Sequence, residues 1–245
     1  MIFNIPVLYN SMSSVNEILN DLNSLKTDIQ VYIPSIKSSK NTKTLNLKQQ
    51  KELLDNLSES NLSLLTFFND VFGIIKTNCS EDSKVINVID RPNILLSLRC
   101  DINKIYNDVN LQDLLKRNKD ISLPDLSKQI ETEHFVFDVS SPSIQRDYNV
   151  NSYLVNTFKN EEKILGKLYI NELSKFINKI TFKSSENVID FDSESNGNRF
   201  KILENMQSSN FQEIYGFINN IRDKEVEYLT LDGTQVDLGP EFFVL

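Results

Sequence analysis

The chain has 245 residues, 40% hydrophobic and 24% charged, enough apolar material to bury a core in one large domain or two small ones. A formal net charge of −8 argues against a nucleic-acid partner, because neutralising phosphates needs clustered Lys and Arg. No apolar run approaches the roughly 20 residues of a membrane span, and the 6 glycines are too scattered to form a phosphate-binding loop.

Ala, the best helix former, is absent, so packing has to hold whatever helices form. The opening MIFNIPVLYNSM lacks a basic n-region and a sustained apolar stretch, so a signal peptide is not expected. Cys79 and Cys100 are then expected to stay reduced in a cytosolic setting. Residues 1–12 read as a short strand or docking arm, followed by a helix over Val15–Leu25. Ile29–Pro34 and Thr42–Leu47 predict a β-hairpin turning at Ser38-Ser39-Lys40-Asn41. The basic run from Lys37 to Lys51 is interleaved with Ser, Asn and Gln and reads as a solvated face of that hairpin. Helices follow over Lys48–Leu57 and Asn61–Cys79, the second with Leu64, Leu65, Phe68, Val71, Phe72 and Ile75 turned inward.

The next helix is expected to open at Asp90, whose carboxylate would accept hydrogen bonds from free N–H groups of the first turn. Pro92 lies within that turn. Ile94, Leu95, Leu98, Ile102 and Ile105 recur at three- and four-residue spacing and predict one buried stripe. This makes Phe67–Tyr106 a packed helical hairpin. Arg99 falls one step off the stripe, at the edge of the core, placed to pair with an acid or a carbonyl.

Leu111–Arg117 reads as a short amphipathic helix and His134–Val139 as an alternating strand closed by Ser140-Ser141-Pro142. Glu161–Ile180 predicts a long helix whose apolar face is Ile164, Leu165, Leu168, Tyr169, Leu173, Phe176, Ile177 and Ile180. Thr181–Phe191 suggests a small hairpin. Two further helices cover Arg199–Met206 and Ser209–Ile221, and Asp232-Gly233 marks a tight hairpin turn near the end. The expected class is helix-dominated α+β, with small antiparallel hairpins near the N-terminus, in the middle and at the C-terminus. The turn-rich Ser193–Asn198 places a boundary between a main domain (1–192) and a C-terminal helix-helix-hairpin subdomain (193–245).

Ile74, Ile75, Asn78, Cys79, Asp90, Leu95, Leu98 and Arg99 together resemble a motif of baseplate proteins of contractile-tailed (myovirus) phages, the group that includes baseplate hub assembly proteins. In that motif an Ile-Ile-x-x-Asn-Cys ending precedes an Asp-led apolar helix that closes in a Leu and an Arg, here the adjacent Leu98 and Arg99. VYIPSIKSSKNTKTLNLKQQKELL (Val31–Leu54), NFQEIYGFINNI (Asn210–Ile221) and the terminal LDGTQVDLGPEFFVL extend the similarity. The chain departs from the pattern at Ile89, where an aromatic is usual, and at Cys100–Asn103, where a Gly turn is usual. Residues 107–163 carry no similarity. The resemblance implies a non-enzymatic baseplate or hub assembly protein with other tail proteins as partners and no cofactor. Self-association in the baseplate is left open, as is a role as chaperone of the tape-measure protein. It also implies a place in the host cytoplasm during assembly, and in the virion if the subunit is retained.

Chemistry beyond binding has few candidates. His134 is the sole histidine, and a hydrolase would have to gather it with acids or a thiol. Two thiols and one distant His do not make a zinc site, so buried free thiols are the better reading. Asp190–Gly197 places Asp192, Glu194, Asn196 and Gly197 as a calcium loop would, but Leu203 stands where a bidentate Glu is needed; an acidic surface turn is the alternative. Aromatic anchors remain. Phe242 and Phe243, like Phe3 and Tyr9 in the N-terminal arm, would either dock into the chain's own core or insert into a neighbouring subunit.

Overall fold

Asn46, Asn110, Ser143 and Ser195 each stand just before a helix, and each side chain accepts a hydrogen bond from a backbone N–H of the first turn. These caps fix helix starts in a chain without alanine. The computed structural model describes residues 27–55, 62–161 and 163–244. The arm bearing Phe3 and Tyr9 and the helix expected over Val15–Leu25 lie outside the described residues.

Strands β1 (Asp28–Ile33) and β2 (Ser38–Lys43) form the first hairpin, followed by helices α1 (Leu47–Leu54), α2 (Ser63–Asn78) and α3 (Arg91–Ile102). A two-residue ribbon, β3 (Ile105–Tyr106) and β4 (Val109–Asn110), leads into α4 (Leu111–Asn118). Next come β5 (Ser127–Glu131), β6 (Phe135–Ser140), α5 (Ile144–Phe158), α6 (Leu165–Phe176), β7 (Ile177–Phe182) and β8 (Val188–Asp190). The chain closes with α7 (Asn196–Glu204), α8 (Gln212–Tyr228) and the ribbon β9 (Thr230–Leu231) and β10 (Thr234–Gln235). The fold is helix-dominated α+β. Among the described residues, no helix is long and apolar enough to cross a membrane.

Strands β5, β6, β7 and β8 make one antiparallel sheet in that order, with Ile130 opposite Phe137, Phe137 opposite Ile180, and Ile180 opposite Ile189. Ile130, Phe137, Ile177 and Ile180 on its inner face pack against Leu173, Ile214 and Ile218 of α6 and α8. A second core joins Val31, Ile33, Leu53, Phe67, Ile75, Leu95 and Leu98 from the first hairpin and α1–α3. A third, smaller one forms around Val150, Leu154, Ile164 and Phe200. Residues 193–245, expected as a separate subdomain, supply side chains to all three: Phe200 to the third, Leu203 and Ile214 to the sheet core, and Val236 and Phe242 to the first-hairpin core.

Several local expectations are corrected. The first hairpin turns at Pro34–Lys37, where Lys37 adopts φ 49, and Ser38–Asn41 lies inside β2. The expected Glu161–Ile180 helix ends at Phe176, and Ile177–Phe182 pairs with β6. The apolar spacing there suits either element, and the Ile177–Val139 and Ile180–Phe137 pairings settle it. Leu64 and Leu165, expected inward, are 55% and 82% exposed.

Helix α3 is not amphipathic: every residue from Arg91 to Arg99 is buried, while Ile105, the expected end of its stripe, is 57% exposed in β3. Nor do α2 and α3 pack chiefly on each other. Helix α2 lies along α5, and α3 against β1 and α4. At the C-terminus, Asp232 and Gly233 take φ 50 and φ 83, the paired left-handed conformation that a two-residue hairpin turn requires.

Candidate functional site

The residues that carry the family resemblance are framework. Ile74, Ile75, Cys79 and Leu98 are buried, and Asn78, Asp90 and Arg99 each tie together segments far apart in the chain. Asn78 and Gln49 exchange amide hydrogen bonds at 2.9 and 3.3 Å, and the Asn78 amide also donates to the Lys43 carbonyl at 3.0 Å. One side chain thus brackets the end of α2, the end of the first hairpin and the start of α1.

Asp90 does not cap α3 with its side chain, as its position predicts. Its carboxylate instead accepts from the Ser35 N–H at 2.7 Å, the Ser35 hydroxyl at 2.5 Å and the Asn87 N–H at 2.8 Å. The donors in the first-hairpin turn were out of reach of a local reading. Burial pushes the Asp90 carboxyl above its usual range, and these three hydrogen bonds oppose that push.

Arg99 meets carbonyls. Its Nε donates to Phe242 at 2.7 Å and its Nη2 to Val244 at 3.2 Å, while Gln50 Nε2 donates to the Phe243 carbonyl between them at 2.8 Å. Phe242 and Phe243 are completely buried in this chain's own core, Phe242 edge-on to Tyr106 at 4.9 Å. They are therefore not exposed anchors for a neighbour: a terminal segment whose consecutive carbonyls are all bound within the chain stays docked.

Among the concave features of the described residues, the one with the most aliphatic walls is a groove of about 510 Å³ between α2, α6, α8 and the 235–239 segment. Its walls include Leu64, Leu65, Phe68, Ile221, Val226 and Leu229, with Leu64 55% and Val226 44% exposed. Its floor is ionic. Arg91 pairs with Asp147, and Lys175 Nζ lies 2.9 Å from Asp147 and 2.6 Å from Glu172. Arg222 closes the chain of charges on Glu172 at 2.9 Å. The Arg91 guanidinium also lies 4.4 Å from the centre of the Phe68 ring.

Burial opposes the charges of Asp147, Glu172 and Lys175, but their neighbours outweigh it. Lys175 and Arg91 hold Asp147 below the usual carboxylate range; Lys175 and Arg222 do the same for Glu172; and the two carboxylates raise Lys175. Glu225 differs: burial pushes its carboxyl up to about 7. None of these groups stands out in the sequence. They come from four helices, and one of those, α5, carries too few apolar residues to announce itself.

The remaining candidates are placed elsewhere. His134 sits exposed in the β5–β6 turn, 3.9 Å from the exposed Glu133 carboxylate. In the Asp190–Gly197 loop, Asp192 pairs with Arg146 at 2.9 Å, Ser195 caps α7, and Asn196 donates to the Asn149 carbonyl. Among the described residues, no group of three His, Cys, Asp or Glu could hold a metal ion. Cys79 is buried and Cys100 half-buried, both free thiols, with burial raising the Cys100 pKa.

Neither a family model, nor a curated protein, nor a solved structure matches the chain.

Proposed function

We propose that this chain is a phage tail baseplate or baseplate-hub assembly protein that acts by binding other tail proteins, without catalysis or a cofactor. The observation that carries the reading is the apolar groove, which leaves Leu64 and Val226 open above a floor of paired charges. Large exposed aliphatics beside a concave wall are the usual material of a protein interface. The resemblance supplies the class of partner. Its polar residues Asn78, Asp90 and Arg99 hold the first hairpin, α1–α3 and the C-terminal segment together. On this reading the protein works in the host cytoplasm during assembly, and in the tail if it is retained. The net charge of −8 keeps it soluble until its partner arrives.

A groove of this size also suits the apolar face of a client helix, so chaperoning the tape-measure protein is the second reading. The test is a phage carrying Leu64→Asp together with Val226→Asp. Both side chains are about half exposed, so the chain should fold. Tail assembly is expected to stall, with the variant protein soluble and free. Normal particle yields with both substitutions present would overturn the proposal.

A further inference from the structure

Ile221 and Glu225 of α8 and Leu229, which caps its end, recur at four-residue spacing and all line the groove, so a carboxyl group lies between two aliphatic side chains. The cations around it are already committed: Arg91 to Asp147, Lys175 to Asp147 and Glu172, Arg222 to Glu172. Among the described residues, no Lys or Arg lies within ion-pair distance of Glu225. With Asp237 at the rim, the groove sets four acids against three cations. An acid placed in an apolar wall without a partner is costly unless something donates to it.

Resting on the protein-binding reading above, we infer that the groove takes a segment of a partner protein that sets one Lys or Arg against Glu225 between flanking aliphatic side chains. Three features support this occupant: the aliphatic walls fit an amphipathic helix, the excess acid selects a cation, and Glu225 marks where the cation sits. Burial raises the Glu225 pKa to about 7, as expected of a carboxyl that has not met its counter-charge. An acidic segment would meet Glu225 and Asp237 with like charge.

The test uses the full-length chain and a synthetic amphipathic helical peptide with a leucine face and a central Lys, beside its Lys→Gln counterpart. Fluorescence anisotropy is read at about pH 8, above the Glu225 titration. The wild-type chain should bind the Lys peptide about tenfold more tightly than the Gln peptide, the increment of one charge-assisted hydrogen bond. Glu225→Gln should bind the two alike, and Leu64→Asp should bind neither. Equal binding of both peptides to the wild-type chain would refute the cation preference and leave the docking groove standing. Binding of neither peptide, or Lys-selective binding that survives Leu64→Asp, would remove the groove as the docking site. Sedimentation of the chain alone gives the remaining outcome: a dimer lost on Leu64→Asp would make a second copy the occupant and overturn the inference.

Discussion

Arg99 and Phe242 stand 143 residues apart and are joined by an Arg99 Nε hydrogen bond of 2.7 Å to the Phe242 carbonyl. A second bond from the same guanidinium to Val244 makes Arg99 the clamp of the C-terminal segment. Removing it strands two carbonyls and a side-chain-sized gap in the core. Arg99→Ala should lower stability by about 2–4 kcal/mol. Arg99→Lys should recover only part of this, because an ammonium cannot reproduce the fork. Urea denaturation checks both; an unchanged midpoint for Arg99→Ala would contradict the clamp.

Phe242 gives a complementary expectation. Its ring is wholly buried beside Tyr106, so Phe242→Ala should cost about 3–5 kcal/mol in the isolated protein. A side chain that served a neighbouring subunit instead would leave the thermal transition of the lone chain unmoved.

Asp90 receives three donors from two segments. Asp90→Ala leaves the Ser35 and Asn87 groups unsatisfied in a mostly buried place, at a cost of about 2–4 kcal/mol. Ser35→Ala removes only the hydroxyl donor and should cost less, about 1 kcal/mol. The ordering of the two unfolding midpoints is the check.

Lys175 neutralises the buried Asp147 and the half-buried Glu172 at once. Lys175→Met should destabilise by about 3–5 kcal/mol near neutral pH. The sign of the pH dependence follows from the lowered carboxylates: their contribution is present above the ordinary carboxylate range and is lost as pH falls through the lowered folded values. The deficit of Lys175→Met should therefore shrink on acidification, as Asp147 and Glu172 take up protons. A deficit independent of pH would refute the charge account.

Glu225 has the opposite sign. Its folded value of about 7 lies above the ordinary 4.5, so the folded state holds this proton more tightly and stability falls as pH rises between the two. The facing groups are Arg91 on α3, Asp147 on α5, Glu172 and Lys175 on α6, Arg222 on α8 and Asp237 near the C-terminus. Glu225→Gln should remove the fall, a difference of about 2 kcal/mol between the ends of that window, the group being only half-buried. Denaturation of both proteins across this range measures it directly.

What the sequence made legible was local. The Asp232-Gly233 turn and the extent of α4 follow from residue type and spacing alone. Arg99, one step off an apolar row, was readable as a cation placed to pair with an acid or a carbonyl, and it meets carbonyls. The groove was not readable. Helix α5 went unseen because Asp147 and Asn151, both buried, occupy places where apolar residues would have announced its inner face. Lys175, next to Phe176, looks like an ordinary solvated charge until α5 brings Asp147 against it. The Asp90 partner likewise lies 55 residues upstream, in a turn whose position the local pattern misplaced. Tertiary pairing decided each of these cases, and spacing within one segment carries no record of it.

Quantitative mass spectrometry of purified particles beside the infected-cell lysate tests the central claim most directly. The protein is expected either at fixed stoichiometry in the particles, as a baseplate subunit, or in the lysate in complex with a tail protein, as an assembly factor. Absence from the particles together with a free, partnerless chain in the lysate throughout infection would contradict a role in building the tail.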